Sequence, residues 1–298
     1  MSSPTVKAMR PQTIQIYLPG GDPRGIRVAE LTTRIVQVLE VPRSLLSDFL
    51  KMPESRQVAV YFLVGQGTDA EDPKAYIGQS SDMPMRFARH NAEKDFWQRA
   101  LVLVSRTQSL TQTHALFLEW FCLTEAKKAG RYVTTNGNSA SRPYTPAPLE
   151  ADCYEIYDTA RTLLATLGHP LFEAVAQVET SSKQPELLFC RGSAADGRGY
   201  YTEEGFVVLK GSSGRIENVP SIMKSGDVKY RDRLVESGVL VAEGERLVFS
   251  KDHLFNSPSL AALSLLGRTA NGWHEWKNAA GRTLHELKRA LPAEDPAS

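Results

Sequence analysis

The sequence predicts an α/β (α+β) chain of more than one domain, on three observations. Apolar runs of strand length alternate with amphipathic stretches of helix length, in the order strand, strand, helix, strand, helix, between about residues 58 and 130. The 298 residues amount to about two domains at a prior of ~150 residues each. Apolar residues make up 42% and charged residues 23%, an ordinary globular balance that excludes collagen, coiled coil and disorder of the whole chain.

The elements follow in order. Thr13-Ile-Gln-Ile-Tyr-Leu18 alternates like a strand, Pro19 to Gly25 is rich in turn residues, and a mixed apolar run extends from Ile26 to Val41. We read residues 1–57 as a small α/β preface. Val58 to Val64 and Ala75 to Gly78 read as two strands of a hairpin with a long polar loop between them. Ser80-Ser-Asp82 before Met83-Pro84 signals a helix start, which sets Arg86 and His90 one turn apart on one face. Ala100 to Val104 is a third strand. Thr111 to Gly130 is a helix, with Leu116, Trp120 and Leu123 expected to face the core and Gly130 to end it. The three prolines between Arg142 and Pro148 lack backbone donors, which places a linker there.

Tyr154 to Leu167 reads as a helix, Ser181 to Pro185 as a break, and Leu187 to Cys190 as a strand. Turn signals fill Gly192 to Gly199, Phe206 to Gly214 suggests a hairpin, and Leu247 to Phe249 another strand. Helices are expected at Ser259 to Leu266 and Thr283 to Leu291, and the last dozen residues or so look frayed. The domain division is therefore 1–57, 58–148, a helical linker at 149–182, and an α+β domain at 183–298.

Composition limits the function classes. No run approaches the ~18 apolar residues of a spanning helix, and Met1 to Lys7 lacks the apolar centre of a signal peptide, so a cytoplasmic protein without a membrane partner is expected. Cys122, Cys153 and Cys190 contain no C-x-x-C pair; we expect all three reduced and buried, in neither a disulfide framework nor a zinc knuckle. A net charge of +1 excludes a basic tail that grips nucleic acid, so any polyanion site must be a local patch. Between Ser81 and Arg142 nine Lys/Arg stand against five Asp/Glu, and that segment is the positive part.

Several side chains there suit phosphodiester hydrolysis, which needs an activated water, charge on the equatorial oxygens and help for the leaving oxygen. Tyr61 and Tyr76 lie on paired strands, where two phenols can project into one cleft. Arg86 offers a planar, permanently charged fork for a phosphate, or is a surface arginine. Glu119, within an apolar stretch, is either paired, exposed on the polar helix face, or a metal ligand. His90 can contact phosphate or orient a tyrosine, or simply sit at the surface. Asn136 and Asn138 share the stretch Thr134-Thr-Asn-Gly-Asn-Ser139, whose Asn-Gly is first of all a turn signal.

Ala59-Val-Tyr61, Tyr76-Ile-Gly78, Arg86, Glu119 and Asn136, in this order on these elements, resemble the GIY-YIG nuclease core over about Val58 to Asn138. Ala59 stands where that family usually has its first glycine. The resemblance implies a three-stranded, mainly antiparallel sheet flanked by helices, and a metal-dependent DNA endonuclease. It implies Tyr61 as the base, Tyr76 as its hydrogen-bonding companion, Arg86 on the scissile phosphate and Glu119 as ligand of Mg²⁺ or Mn²⁺. His90 and an asparagine, Asn136 in preference to Asn138, would complete the site, with Arg89 beside Arg86 on the DNA. The bland alternative is a degenerate scaffold of the same family that binds DNA or regulates without cutting. No small-molecule cofactor is expected, and a homo-oligomer is compatible with the sequence.

Farther on, Phe255 to Trp276 contains Ser-Pro-Ser-Leu-Ala-Ala and Asn-Gly-Trp-His-Glu-Trp. This resembles an uncharacterised domain family found behind GIY-YIG nucleases, and is similar to the RAMA domain of restriction enzymes and adenine methylases. The resemblance suggests a module that selects DNA. Ser257 or Ser259 would cap the helix, and Asn271-Gly272 would turn the chain. Trp273 and Trp276 are either core anchors or a stacking surface. With Arg268 they are the DNA-contact candidates of this region, where five Lys/Arg against two Asp/Glu lie between His253 and Arg289.

Overall fold

The computed structural model describes residues 11–66, 72–137, 141–175, 186–218 and 227–289. The chain divides into two units, residues 1–66 with 73–173, and residues 67–72 with 174–298. Helices and sheets mix in both, and the fold is α/β.

Unit 1 is built on one sheet. Its strands are β1 (Ile14–Tyr17), β2 (Arg27–Leu31), β3 (Val36–Pro42), β4 (Ala59–Gly65), β5 (Lys74–Ser80), β6 (Arg99–Ser105) and β7 (Val133–Thr134), in the spatial order β1-β2-β3-β6-β4-β5-β7. All pairings are antiparallel except β5 with β7. The three strands expected as the core are present in the order β6-β4-β5. The preface is not a separate layer, however, because β3 pairs with β6 over Val36↔Ser105 to Pro42↔Arg99 and so extends the same sheet. Among the described residues of this preface, the one-turn α1 (Leu46–Phe49) is the α-helix formed.

Both faces of this sheet are covered, which explains why β4 reads as an unbroken apolar run with every residue buried. Val60, Phe62 and Val64 face a core shared with α3 (Gln112–Ala129) and α4 (Ala147–Thr166). Ala59, Tyr61 and Leu63 alternate to the other face, beneath α1 and α2 (Met83–Glu93). One acid is admitted to this interior: the buried Glu40 of β3 accepts from Arg27 and lies 3.2 Å from Arg99 and 3.1 Å from His169. Burial raises its carboxyl, but the His169 hydrogen bond and the charges of Arg27 and Arg99 outweigh that and hold it below the usual range.

Local chemistry starts and stops the helices as anticipated. Asp82 accepts from the Met85 N–H at 3.1 Å with Pro84 in the first turn, and Thr111 forms a capping box with His114. Gly130 ends α3 in the left-handed conformation at φ 64°. Two expectations need correction. Leu116 is 40% exposed, while Leu123 is buried as expected and Trp120 is partly buried; Ala115, Phe117, Leu118, Cys122 and Ala126 are buried as well, because the helix packs on both the sheet and α4. The proline-rich stretch does not keep a helix away: Pro146 is the N-cap of α4 and Pro148 occupies its first turn, where a missing N–H leaves no orphan. Far from being a linker, α4 buries Cys153, Ile156, Leu163 and Leu164 in unit 1, so the boundary expected at 148 falls inside this unit.

Unit 2 holds a second, antiparallel sheet made of β8 (Leu188–Gly192), β9 (Ala195–Thr202), β10 (Gly205–Val208), β11 (Ser213–Arg215), β12 (Leu240–Glu243), β13 (Arg246–Phe249) and β14 (His253–Phe255). The order is β12-β13-β11-β9-β10-β14, with β8 also on β9. The turn signals of Gly192 to Gly199 are met by the two-residue turn Ser193-Ala194 between β8 and β9, but from Ala195 on the segment is strand: Gly197 and Gly199 are needed on its inner face, where a Cβ would meet Leu265 at 2.3 Å and the Val207 carbonyl at 2.3 Å. Phe206 to Gly214 is no hairpin, since β10 pairs with β9 and β14 while β11 pairs with β13. The helices are α5 (Asp227–Glu236), α6 (Pro258–Leu266), α7 (Gly272–Glu275) and α8 (Leu284–Lys288).

The motif Ser-Pro-Ser … Asn-Gly-Trp-x-x-Trp is a packing device. Ser257 caps α6 by accepting from Leu260, while Ser259 accepts from the Gly272 N–H at 3.1 Å. At Gly272 a Cβ would lie 2.1 Å from the Pro258 carbonyl, so only glycine allows α7 to cross α6 this closely. Trp276, fully buried against Phe206, donates its indole N–H to the Pro258 carbonyl at 3.0 Å. The break expected at Ser181 to Pro185 and the end of the chain beyond Arg289 lie outside the described residues. No described helix is long and apolar enough to cross a membrane.

Candidate active site

Strand register builds the site. Tyr61 stands directly opposite Gly78 across the β4–β5 pair, and a Cβ at residue 78 would meet the Tyr61 hydroxyl oxygen at 2.5 Å. Glycine is thus the residue that lets the phenol lie across β5 beside Tyr76, whose ring centroid is 6.3 Å away in a stacked arrangement. Because α2 packs on this face through Met83, Phe87 and His90, positions one turn apart bring Arg86 and His90 to the same hydroxyl. Arg86 Nε donates to the Tyr61 oxygen at 2.8 Å and Arg86 Nη2 to the Tyr76 oxygen at 3.2 Å; His90 Nε2 lies 2.7 Å from the Tyr61 oxygen.

Burial separates the two phenols. Tyr61 has no exposed surface, and desolvation pushes its phenol well above the usual range despite the opposing Arg86 hydrogen bond. Tyr76 is only half-buried and is the phenol with access to solvent. His90 is pushed down to about 4, first by burial and then by the charges of Arg86 and Lys94, so its imidazole is neutral at pH 7. Its Nδ1 is buried without a hydrogen-bond partner.

Glu119 reaches the same sheet edge from the opposite side, on α3. It accepts from the backbone N–H of Gln79, just beyond Gly78, and feels the charge of Arg86. Burial raises its carboxyl, and these two groups offset that only in part. No cluster of three or more His, Cys, Asp or Glu able to hold a metal occurs among the described residues. The oxygen of a single carboxylate nevertheless fits a hard cation that keeps most of its water and takes phosphate oxygens, and a cation would relieve the uncompensated burial of that carboxyl.

Asn136 is close in space and already engaged: its amide donates to the Ile77 carbonyl at 2.7 Å and accepts from the Ile77 N–H at 3.1 Å. It pins the strand that carries Tyr76 and Gly78. Asn138 lies outside the described residues. Arg89 is exposed and pairs with Glu93 at 2.9 Å.

The sequence reading missed Lys94, whose Nζ sits 4.4 Å above the Tyr76 ring. The signal was available, because Lys94 continues the four-residue spacing of Arg86 and His90.

The DNA-contact candidates of unit 2 fare differently. Trp276 is a core residue, since its ring has no exposed surface to stack with. Trp273 is half-buried against Tyr201, with the Arg289 guanidinium over its ring at 3.5 Å. Arg268 pairs with Glu275 at 2.7 Å. The three cysteines are free and buried, as expected.

Comparison with known families finds one match: residues 188–288, the body of unit 2, match a family described as a domain of unknown function, DUF4357. No curated protein and no solved structure matches the chain. The uncharacterised C-terminal domain expected from the sequence is thus present.

Proposed function

We propose that unit 1 is a metal-dependent endonuclease of the GIY-YIG kind, hydrolysing DNA phosphodiester bonds, and that the DUF4357 unit selects the DNA. One observation supports this above all: two phenols, a guanidinium, an imidazole and a carboxylate from four separate elements meet at one sheet edge.

Arg86 holds both phenols and feels the charge of Glu119, and its remaining N–H groups can take a phosphate in a charge-assisted contact. Tyr76, the phenol open to solvent, is the group placed to hold or accept the proton of an attacking water. Tyr61, sealed behind it, serves by fixing Arg86 through Nε, and neutral His90 is the acceptor available for the Tyr61 proton. This gives Tyr76 the water-facing role that the resemblance implied for Tyr61. Glu119 would hold Mg²⁺ or Mn²⁺, which when bound supplies positive charge to the phosphate and its leaving oxygen.

The test is cleavage of plasmid DNA with Mg²⁺ or with EDTA. Glu119→Ala is expected to lose about a hundredfold or more in rate while remaining folded. Undiminished cutting by that variant, or in EDTA, overturns the assignment. One observation favours the second reading, a non-cutting DNA-binding or regulatory protein: burial pushes both the Tyr61 phenol and the Glu119 carboxyl toward their uncharged forms. Metal-independent DNA binding with no cleavage under any divalent ion would select it.

A further inference from the structure

We propose that the outer face of β8, β9, β11 and β13 in the unit 2 sheet is the surface that binds nucleic acid, through four arginines and one aromatic ring. The proposal rests on the reading that this unit contacts DNA, and is independent of the chemistry assigned to unit 1.

Alternation divides the two faces. Along β8 and β9, Leu188, Cys190, Ala195 and Gly197 are buried, while Phe189, Arg191, Asp196 and Arg198 turn the other way, the last three of them exposed. The inner set meets α6, through Leu266 at Gly192 and Leu265 at Gly197. Register carries the outer face across the sheet, because directly opposed residues share a side. Arg191 is opposite Asp196, Asp196 opposite Ser213, and Arg215 opposite Arg246. Arg191, Arg198, Arg215 and Arg246 therefore stand on one face of the neighbouring strands β8, β9, β11 and β13, with Arg215 and Arg246 directly opposed.

These cations are not consumed internally. None of the four makes an ion pair among the described residues, and Arg246 Nη1 donates to the Ser213 hydroxyl at 3.2 Å. The contrast with Arg268 and Arg89, each committed to a glutamate, is direct. Two acids, Asp196 and Glu243, occupy the same face against the four arginines, so it stays positive in a chain whose net charge is only +1.

Charge alone would suit any polyanion; the edge of the face is more selective. The Arg191 guanidinium lies 4.9 Å over the Phe189 ring, and beside the pair opens a pocket of about 330 Å³ lined also by Lys277, Asn278 and Glu275. A guanidinium over a ring still offers a face to a planar base, and its edge matches a phosphate. The pocket is of the size that takes one small ligand, lower in the range of ~300–1,000 Å³. A lipid headgroup would use the arginines and leave this stacked corner without a partner.

The test uses the full chain in EDTA, with fluorescence anisotropy on a labelled DNA duplex and on the same strand alone. The double variants Arg191→Ala/Arg198→Ala and Arg215→Ala/Arg246→Ala are each expected to weaken binding about tenfold or more at low salt. Each should also lower the slope of log affinity against log salt by about two, as two lost phosphate contacts require. Lys229→Ala/Arg233→Ala, removing two exposed charges of α5, is the control and should bind like the parent. Equal losses in control and sheet variants, or parental binding by both sheet variants, overturn the proposal. So does binding to anionic phosphatidylglycerol vesicles, lost in the sheet variants, without affinity for DNA. Glu119→Ala separates the two readings, since failure of the unit 1 chemistry leaves this binding intact.

Discussion

His90 sits behind two tyrosines with its imidazole nitrogen 2.7 Å from one of them, and that position makes its charge state a property of the fold. Its pKa is about 4 in the folded chain against about 6.5 unfolded, so between those values the unfolded state binds more protons. The stability this group contributes is complete above pH 6.5 and is lost as pH falls toward 4. Urea denaturation at pH 7.5 and 4.5 should show a loss of about 2–3 kcal/mol that His90→Gln largely removes. An unchanged difference in that variant would assign the loss to other groups. Glu119 works in the opposite sense, since its raised pKa means that deprotonation above the ordinary carboxylate range costs the folded state stability. The two phenols part company at the same scale. Tyr76→Phe should lower turnover about 100-fold or more with the fold unchanged. Tyr61→Phe should instead cost about 1–3 kcal/mol of stability, because it leaves the half-buried Arg86 Nε without an acceptor. If Tyr61→Phe is the inactive variant and Tyr76→Phe keeps its rate, the proton role returns to Tyr61.

Elements impose constraints that no single residue explains. The β4–β5 pair sets Tyr61 opposite Gly78, and the phenol occupies the space that any side chain at 78 would need. Gly78→Ala should therefore destabilise unit 1 by roughly 1–3 kcal/mol and disengage Arg86, lowering cleavage more than Ala at an exposed strand position. A thermal midpoint and a rate equal to the parent would mean that Tyr61 relocates freely. Helix α2 shows the complementary logic: Met83 and Phe87 anchor one side of it, and that anchoring aims Arg86 and His90 at the tyrosines.

At the scale of the whole molecule, each unit closes its own core. The unit 2 core runs from Leu188 to Leu284 and is completed by Trp276 and by α6, whose residues Ala261, Ala262 and Leu265 are wholly buried. A fragment of residues 186–298 should consequently fold alone, with a cooperative thermal transition by circular dichroism. Trp276→Ala should abolish that transition or lower its stability by about 3–5 kcal/mol, as expected for deleting a buried ring. A fragment without a cooperative transition would show that this core depends on the rest of the chain.

Periodicity and end signals made much of this legible in the sequence alone. The three strands β4, β5 and β6, the starts of α2 and α3, the stop at Gly130 and the helix α6 all follow from local patterns that need no partner, and so does the spacing of Arg86 and His90. Tertiary structure decided the rest, because the deciding contacts are distant in the chain. Nothing near Val36 announces that β3 will pair with β6, some sixty residues on. The rotation of α3 depends on being packed from two sides, which left Leu116 outside and Ala115 within. Only three dimensions reveal that Tyr61 is sealed while Tyr76 is open, that Trp276 belongs to the core, or that four arginines scattered from residue 191 to 246 share one face. Local propensity and periodicity act over a few residues, whereas burial and shared charge are properties of neighbours that only the completed sheets bring together.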